Sequence, residues 1–106
     1  MRGGMLDKNC RIGEKNMTEL EKLDAGLEYN FWDEAVNARK LHAIKGCAKL
    51  NAIPVTDEQE REAAIRELFG SVGKNPIVLP IFNCDNGRNI HVGDNFLTNY
   101  NVTILD

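Results

Sequence analysis

The sequence predicts an α+β protein in which a helical segment is followed by short strands wound into a three-sided coil. Up to about residue 70, apolar residues recur at helical spacing and are bracketed by helix start and stop signals. After Gly73 this spacing ends, and Asn, Gly, Asp and β-branched residues dominate. From Val78 onward, apolar residues and asparagines each recur every six positions.

The composition narrows the classes of function. The chain has 106 residues, and 13 basic against 16 acidic side chains give a formal net charge of −3. Without a basic stripe, binding to nucleic acid is not expected. The three cysteines are spaced too far apart for a zinc site, so no metal site and no disulfide framework are predicted. Because the sequence contains no long apolar run, we expect neither a signal peptide nor a membrane-spanning segment. We expect a cytoplasmic protein with reduced thiols.

The N-terminal segment divides at Met17. Residues 1–16 are polar and aperiodic, and we expect them to form a disordered leader. The composition changes so abruptly at Met17 that this residue is a candidate for the true start. Thr18 and Glu21 then form the capping-box pattern of a helix start, and Gly26 is placed to end that helix.

Two further helices are predicted, which completes a helical cap over residues 17–74. The second runs from about Asp33 to Asn51. Its apolar face comprises Trp32, Val36, Ala43, Cys47 and Leu50, with Leu41, Ile44 and Ala48 beside them.

The third helix is predicted to begin at Thr56, which forms a second capping-box pattern with Gln59, and to end at Gly70. Its apolar face comprises Ala64, Ile65, Leu68 and Phe69. The charged residues between positions 57 and 67, Arg61 among them, are interpreted as a solvated face.

Residues 75–106 contain a six-residue repeat. The apolar series is Val78, Cys84, Ile90, Phe96 and Val102, and the asparagine series is Asn83, Asn89, Asn95 and Asn101. A short strand followed by a turn forms one side of a triangular coil, so an inward side chain must recur once per side, with the stacked backbones about 4.8 Å apart. Asparagine suits the turns because it tolerates left-handed backbone angles. The alternative is an antiparallel meander that turns at Asn86-Gly87.

The second half closely resembles the maltose and galactoside O-acetyltransferases of the hexapeptide-repeat family. The segment that carries the resemblance is PIFNCDNGRNIHVGDNFLTNYNVTILD, residues 80–106. The segment MTELEKLDAGLEYNFWDEAVNARKL is similar to the helical cap of these enzymes, and ELFGSVGKN to the junction between cap and coil. The resemblance covers residues 17–106.

The resemblance implies a left-handed parallel β-helix, of which residues 75–106 would form the first coils. It implies transfer of an acetyl group from acetyl-CoA to a sugar hydroxyl of the maltose, glucose or galactoside class. It also implies a homotrimer with active sites between subunits. The family's general base is a histidine in a segment that lies beyond Asp106. We therefore expect the chain to be a truncated, N-terminal fragment that contains no catalytic histidine and little of the acetyl-CoA region.

The resemblance also assigns roles to three residues. Asp85 matches a position that faces the acceptor sugar, and Asn99 matches the asparagine that lines the cleft and holds the acceptor hydroxyl or the oxyanion. Asp33 is the nearest candidate for an acidic cap residue that reaches the sugar. For Asn99, the residues themselves leave open a plain turn asparagine like Asn101.

The remaining chemically active side chains are expected to be structural. His91 should point away from the coil, His42 should have a surface or packing role in the cap, and Cys84 should be an inert inward thiol. The alternative function is that of a non-catalytic module that binds sugar or associates with subunits.

Overall fold

The computed structural model describes residues 16–106. The predicted disordered leader therefore lies outside the described residues, except for Asn16. The chain divides into two compact units, Met1–Ala38 and Arg39–Asp106. In the described residues, no helix is both long enough and apolar enough to cross a membrane.

The first unit contains helix α1, Glu19–Asp24, and its predicted start is confirmed. The backbone N–H of Thr18 donates to Glu21 Oε1 at 2.8 Å, and that of Glu21 donates to Thr18 Oγ1 at 3.1 Å. After the helix, Gly26 has a φ of 75°, the left-handed conformation expected of a glycine at this place. Both sequence signals of this short helix are thus confirmed.

Helix α2, Glu34–Ala52, begins in the first unit and continues into the second. Four residues of its predicted apolar face are buried, namely Val36, Ala43, Cys47 and Leu50. The residues predicted beside that face, Leu41, Ile44 and Ala48, are exposed. The prediction is wrong for Trp32, which is 77% exposed. Trp32 precedes the helix, and the carboxylate of Asp33 caps the first turn, so the indole belongs to the turn before the helix and not to its face.

Helix α3, Glu58–Leu68, starts later than predicted. The capping box of Thr56 with Gln59 is wrong, because the carboxylate of Asp57 accepts the backbone N–H of Glu60 and fixes the helix start one residue further on. The predicted apolar face is confirmed, since its four residues are all at most 3% exposed.

Arg61 does not belong to a solvated face, which corrects the interpretation of this charged segment. It is 5% exposed, and its guanidinium donates to the carbonyls of Leu50 at 2.9 Å and Ile53 at 2.6 Å, and also to that of Val78. A buried cation requires such partners, and the carbonyls at the end of α2 supply two of them. Arg61 thus joins α2 and α3 to the coil.

Six short strands form the coil. They are β1 (Ser71–Val72), β2 (Ile77–Val78), β3 (Phe82–Cys84), β4 (His91–Val92), β5 (Leu97–Thr98) and β6 (Val102–Ile104). They pair as β1 with β4, β2 with β5 and β3 with β6, and every pair is parallel. An antiparallel meander is therefore excluded. The coil begins at Ser71, so it includes residues 71–74, which the predicted boundary assigns to the cap.

One turn of the coil takes twenty residues, not three hexads. Val72 is in register with Val92, and Cys84 with Ile104. The hexad spacing holds within a turn of the coil, but two extra residues enter the corner between β3 and β4. Gly87 lies in that corner with a φ of 87°, where a side chain would be forced to within 2.5 Å of the carbonyl oxygen of Leu68.

The asparagines of the six-residue series consequently do not share one structural role: Asn89, for example, donates its N–H and its Nδ2 to Asp106 at the corner between β3 and β4. Asn95 and Asn101 have left-handed backbones, with φ values of 60° and 57°, as a turn requires. Asn75, outside the predicted series, has the same conformation one turn of the coil before Asn95, with a φ of 56°. Asn83, in contrast, lies within β3.

The core of the second unit lies between helices α2 and α3 and the interior of the coil. Its buried members are Cys47, Leu50, Ala64, Ile65, Leu68, Phe69, Val78, Phe82 and Ile90. The rings of Phe69 and Phe82 pack with their centroids 5.6 Å apart. This packing fixes the third side of the coil, which β3 and β6 form.

Candidate functional site

The two predicted acceptor residues of the coil lie at the two ends of its third side. Asn99 follows β5 and precedes β6, whereas Asp85 directly follows β3. Since Phe82 is in register with Val102, Asn99 stands at the corner where the third side begins and Asp85 at the corner where it ends. The structure therefore places both residues on one side of the coil without bringing them together.

Asn99 differs from the turn asparagines of the coil. Asn101 has a left-handed backbone, and its Oδ1 accepts the N–H of Ile81 in the neighbouring strand segment at 3.4 Å. Asn99 is exposed, its φ is not positive, and its Oδ1 accepts only the N–H of Tyr100 at 2.8 Å. Its amide Nδ2 makes no hydrogen bond to the described residues. Among the described residues, the Nδ2 group of Asn99 therefore remains available to donate hydrogen bonds to a ligand.

Asp85 is exposed beside a corner that a second carboxylate holds in place. Asp106 accepts the backbone N–H groups of Asn86 at 2.9 Å, Gly87 at 2.7 Å and Asn89 at 3.3 Å. These N–H groups are already bound, and the exposed carboxylate of Asp85 makes no hydrogen bond to the described residues. Sequence reasoning missed Asp106, whose position after an apolar strand gave no signal of its partners.

Asp33 lies in the first unit and is half-buried. Its Oδ2 accepts the N–H groups of Ala35 at 3.0 Å and Val36 at 3.2 Å. Capping the start of α2 is therefore one definite role of this residue. Its second oxygen, Oδ1, makes no hydrogen bond to the described residues.

The histidines of the chain are engaged in structural contacts. His91 is exposed, and its Nδ1 lies 2.8 Å from the hydroxyl of Ser71 on the paired strand. His42 is half-buried, with Nε2 3.4 Å from the carbonyl oxygen of Leu68. Both observations agree with the structural roles expected for these residues.

The inward thiol of Cys84 has a neighbour that the sequence could not reveal. Its Sγ lies 3.6 Å from that of Cys47 on helix α2. Burial raises the pKa of Cys84 far above its ordinary value, and the adjacent Cys47 raises it further. A thiol that stays protonated is a poor nucleophile, in agreement with the predicted inert role. Among the described residues, no group of three His, Cys, Asp or Glu side chains is arranged to hold a metal ion.

Exposed apolar side chains mark the second side of the coil and the corner next to Asn99. Ile77 and Leu97 are in register and point outward, with 52% and 64% of their surface exposed. Ile81 and Tyr100 add 54% and 60% exposure at the corner that follows. Sequence reasoning missed this patch because it considered only the inward series. The signal was present, since a β-branched or leucine side chain stands directly before each inward residue of this side.

Comparisons with known proteins agree with both parts of the chain. The maltose acetyltransferase hexapeptide capping motif matches residues 22–73. The galactoside O-acetyltransferase of Escherichia coli K12 is 33% identical over 91 residues, which are 86% of this chain and 45% of the relative.

Two solved structures extend the agreement to the fold. A maltose O-acetyltransferase from Clostridium difficile 630 superposes with a TM-score of 0.73 and 31% identity, over 84% of this chain and 58% of the other. A hexapeptide-repeat acetyltransferase from Vibrio cholerae, complexed with acetyl-coenzyme A, gives a TM-score of 0.70 and 37% identity, over 85% and 48%. The chain spans about half the length of the curated relatives it matches.

The helical cap, the parallel coil and these matches lead to the same family. The resemblance noted in the sequence is confirmed, and the α+β fold is a helical cap followed by the first coils of a left-handed parallel β-helix. The chain belongs to the maltose/galactoside O-acetyltransferase family of hexapeptide-repeat proteins and corresponds to the N-terminal portion of its relatives.

Proposed function

We propose that the protein transfers an acetyl group from acetyl-CoA to a hydroxyl group of a sugar of the maltose, glucose or galactoside class. The observation that carries this proposal is the joint match of the cap and the coil to sugar O-acetyltransferases. A galactoside acetyltransferase in complex with coenzyme A superposes with a TM-score of 0.76, which supports acetyl-CoA as the donor.

Asn99 is the residue of the coil that we assign to the acceptor hydroxyl. Its Nδ2 has no partner among the described residues, so it can donate a hydrogen bond to the attacking hydroxyl or to the oxyanion that develops on the acetyl group. Asp85, at the other end of the third side, has a carboxylate without a hydrogen-bond partner among the described residues, which suits it to bind the remaining hydroxyls of a sugar. Asp33 is proposed to contribute the oxygen that does not cap α2.

The general base is proposed to be a histidine outside these 106 residues. Imidazole is suited to this role because its ordinary pKa, near 6.5, lets it accept a proton at neutral pH. His91 lies in β4, on the first side of the coil, and His42 lies in α2 beside the carbonyl oxygen of Leu68. Neither is therefore assigned as the base that acts beside Asn99. The 106-residue polypeptide alone is accordingly expected to release no CoA above a buffer blank when it is mixed with acetyl-CoA and maltose.

We further propose a homotrimer in which neighbouring subunits complete each site. The apolar patch of Ile77, Leu97, Ile81 and Tyr100 borders Asn99, and burial of such side chains is the usual driving force of association. An acceptor site that begins at Asn99 would then be closed by a second copy.

The test is acetyl transfer by the complete natural protein and its Asn99→Ala variant. We expect the variant to unfold at the same temperature as the wild type but to lose about 100-fold or more in kcat, as for other oxyanion donors. The matched control is Asn101→Gly, which removes an amide two residues away and keeps the left-handed backbone. An unchanged kcat in Asn99→Ala would make this residue structural. Sugar binding without acetyl transfer by the wild type would favour the non-catalytic module.

A further inference from the structure

The first unit presents an aromatic pair to solvent just before helix α2. Trp32 is 77% exposed and Phe31 is 49% exposed, and their rings meet edge to face with centroids 5.1 Å apart. Tryptophan is highly buried on average, so such exposure is unusual. Neither the cap helices nor the coil requires an indole at this place.

The pair is held in a defined position. The backbone N–H of Trp32 donates to Asn30 Oδ1 at 3.0 Å, and its carbonyl accepts the amide of Asn37 at 3.4 Å. On the following residue, the carboxylate of Asp33 caps α2. The backbone of Trp32 is therefore held on both sides and its ring packs against that of Phe31, while the indole N–H makes no hydrogen bond to the described residues. Holding a ring in advance lowers the cost of ordering it when a ligand binds.

The charged residues near Phe31 and Trp32 indicate which class of ligand could bind there. Residues 27–38 contain Glu28, Asp33 and Glu34 and no basic residue. The basic side chain of Lys22 reaches this turn through Glu19, which accepts the N–H of Asn30, but it is paired with that carboxylate at 2.9 Å. This environment disfavours phosphate groups and anionic lipid surfaces. A neutral ligand with one apolar face and several hydroxyl groups matches this environment. Its apolar face can stack on the indole of Trp32 while its hydroxyls donate hydrogen bonds to the carboxylate of Asp33. A pyranose ring has this chemistry, because the C–H groups of one face are apolar and its hydroxyls lie at the edge.

We propose that Trp32, supported by Phe31, is a stacking platform for the acceptor sugar, with Asp33 Oδ1 accepting a hydroxyl at the edge of the same ring. This inference rests on the proposed function, and it makes Trp32 a specificity-determining residue: acceptors with a continuous apolar face bind better than open-chain polyols of equal hydroxyl content. Trp32 binds the sugar and takes no part in the chemistry.

The kinetic test uses the complete natural protein. Trp32→Ala should raise the KM for the acceptor about tenfold, as expected for the loss of one aromatic contact, with kcat and the KM for acetyl-CoA unchanged. Trp32→Phe should restore most of the affinity. The control is Ile44→Ala, which removes another largely exposed apolar side chain, from α2, and should change neither constant. An unchanged acceptor KM in Trp32→Ala, or a loss confined to kcat, would overturn the proposal.

A binding test separates this inference from the proposed function. Trp32 is the only tryptophan of these 106 residues, so the fluorescence difference between the wild type and Trp32→Phe reports on this site. Maltose or isopropyl-thiogalactoside should protect that signal from quenching by acrylamide, and sorbitol should not. Protection without acetyl transfer would contradict the proposed function and leave the platform intact. Acetyl transfer without protection at saturating sugar would contradict the platform alone.

Discussion

The role of Arg61 differs between the interpretation of the sequence and the structure. In the sequence it is one charge among several at helical spacing, and nothing local distinguishes it from Arg66. In the structure it is buried and bonded to three carbonyl groups, two of them at the end of α2. The distinction depends on a contact with Val78, seventeen positions away, and such contacts are invisible to a pattern of local spacing.

Arg61→Ala should lower the free energy of unfolding by about 2–4 kcal/mol, because carbonyl groups would be left buried without donors. Denaturant unfolding measures this. The matched control is Arg88→Ala, an exposed arginine whose removal should cost less than about 0.5 kcal/mol. Equal stability of the two variants would mean that water satisfies the freed carbonyls.

Cys84 gives the protein an expected dependence of stability on alkaline pH. The thiol ionises near 9.0 in the unfolded chain, but burial raises its pKa well above that value in the folded state. Its contribution to stability is therefore complete below pH 9 and is lost as pH rises above 9, where only the unfolded chain releases the proton. Between pH 9 and 10 the wild type should lose up to about 1 kcal/mol more than Cys84→Ala. Parallel losses in urea unfolding of the two proteins at both pH values would contradict this.

Among the elements, the helices were predicted more accurately than the coil. Capping signals and apolar spacing are local, so α1 was located correctly and α3 was displaced only because Asp57 competed with Thr56 as the cap. The hexad correctly indicated parallel coils. The hexad could not show the two extra residues between β3 and β4. Ile90 and Phe96 continue the six-residue series of apolar residues, although Val72 and Val78 pair with Val92 and Thr98, two positions further along the chain.

The left-handed corners provide a prediction at the scale of the elements. The Asn95 backbone N–H donates to the Lys74 carbonyl at 2.6 Å, and its Oδ1 accepts the amide of Asn75 at 3.3 Å. Asn95→Ala should cost about 1–2 kcal/mol in unfolding free energy, because alanine is strained at positive φ. Asn95→Gly, the control for strain, should cost less although it too removes the amide. A larger loss for glycine than for alanine would show that the side-chain hydrogen bond between Asn75 and Asn95, and not the backbone angle, sets the stability of this corner.

At the scale of the whole molecule, the site could be predicted only in part. The sequence indicated Asn99 and Asp85 through the resemblance, and the register shows that they occupy opposite ends of the third side. The exposure of Trp32 and the anchoring role of Asp106 both depend on turn geometry, which apolar spacing does not encode.

The 106-residue polypeptide, expressed alone, should be only marginally stable and should self-associate. Within the described residues each strand pairs with one other strand, so β4, β5 and β6 each have an edge that can accept a further strand. The apolar side chains of Ile77 and Leu97 add a second cause. Sedimentation at micromolar concentration measures the association, and Leu97→Lys should reduce it if the apolar patch contributes. A clean monomer with cooperative unfolding would show that these residues form a self-sufficient domain.

The junction between cap and coil has a consequence for exchanging parts between relatives. Asn51 donates to the carbonyl oxygen of Phe82 at 2.9 Å and accepts its N–H at 2.8 Å, and Arg61 likewise reaches the carbonyl of Val78. On the coil, these partners are main-chain atoms, which every sequence possesses. A cap that keeps Asn51 and Arg61 should therefore be transplantable onto the coil of a distant relative, provided that the backbone path and the volume of the apolar core are preserved.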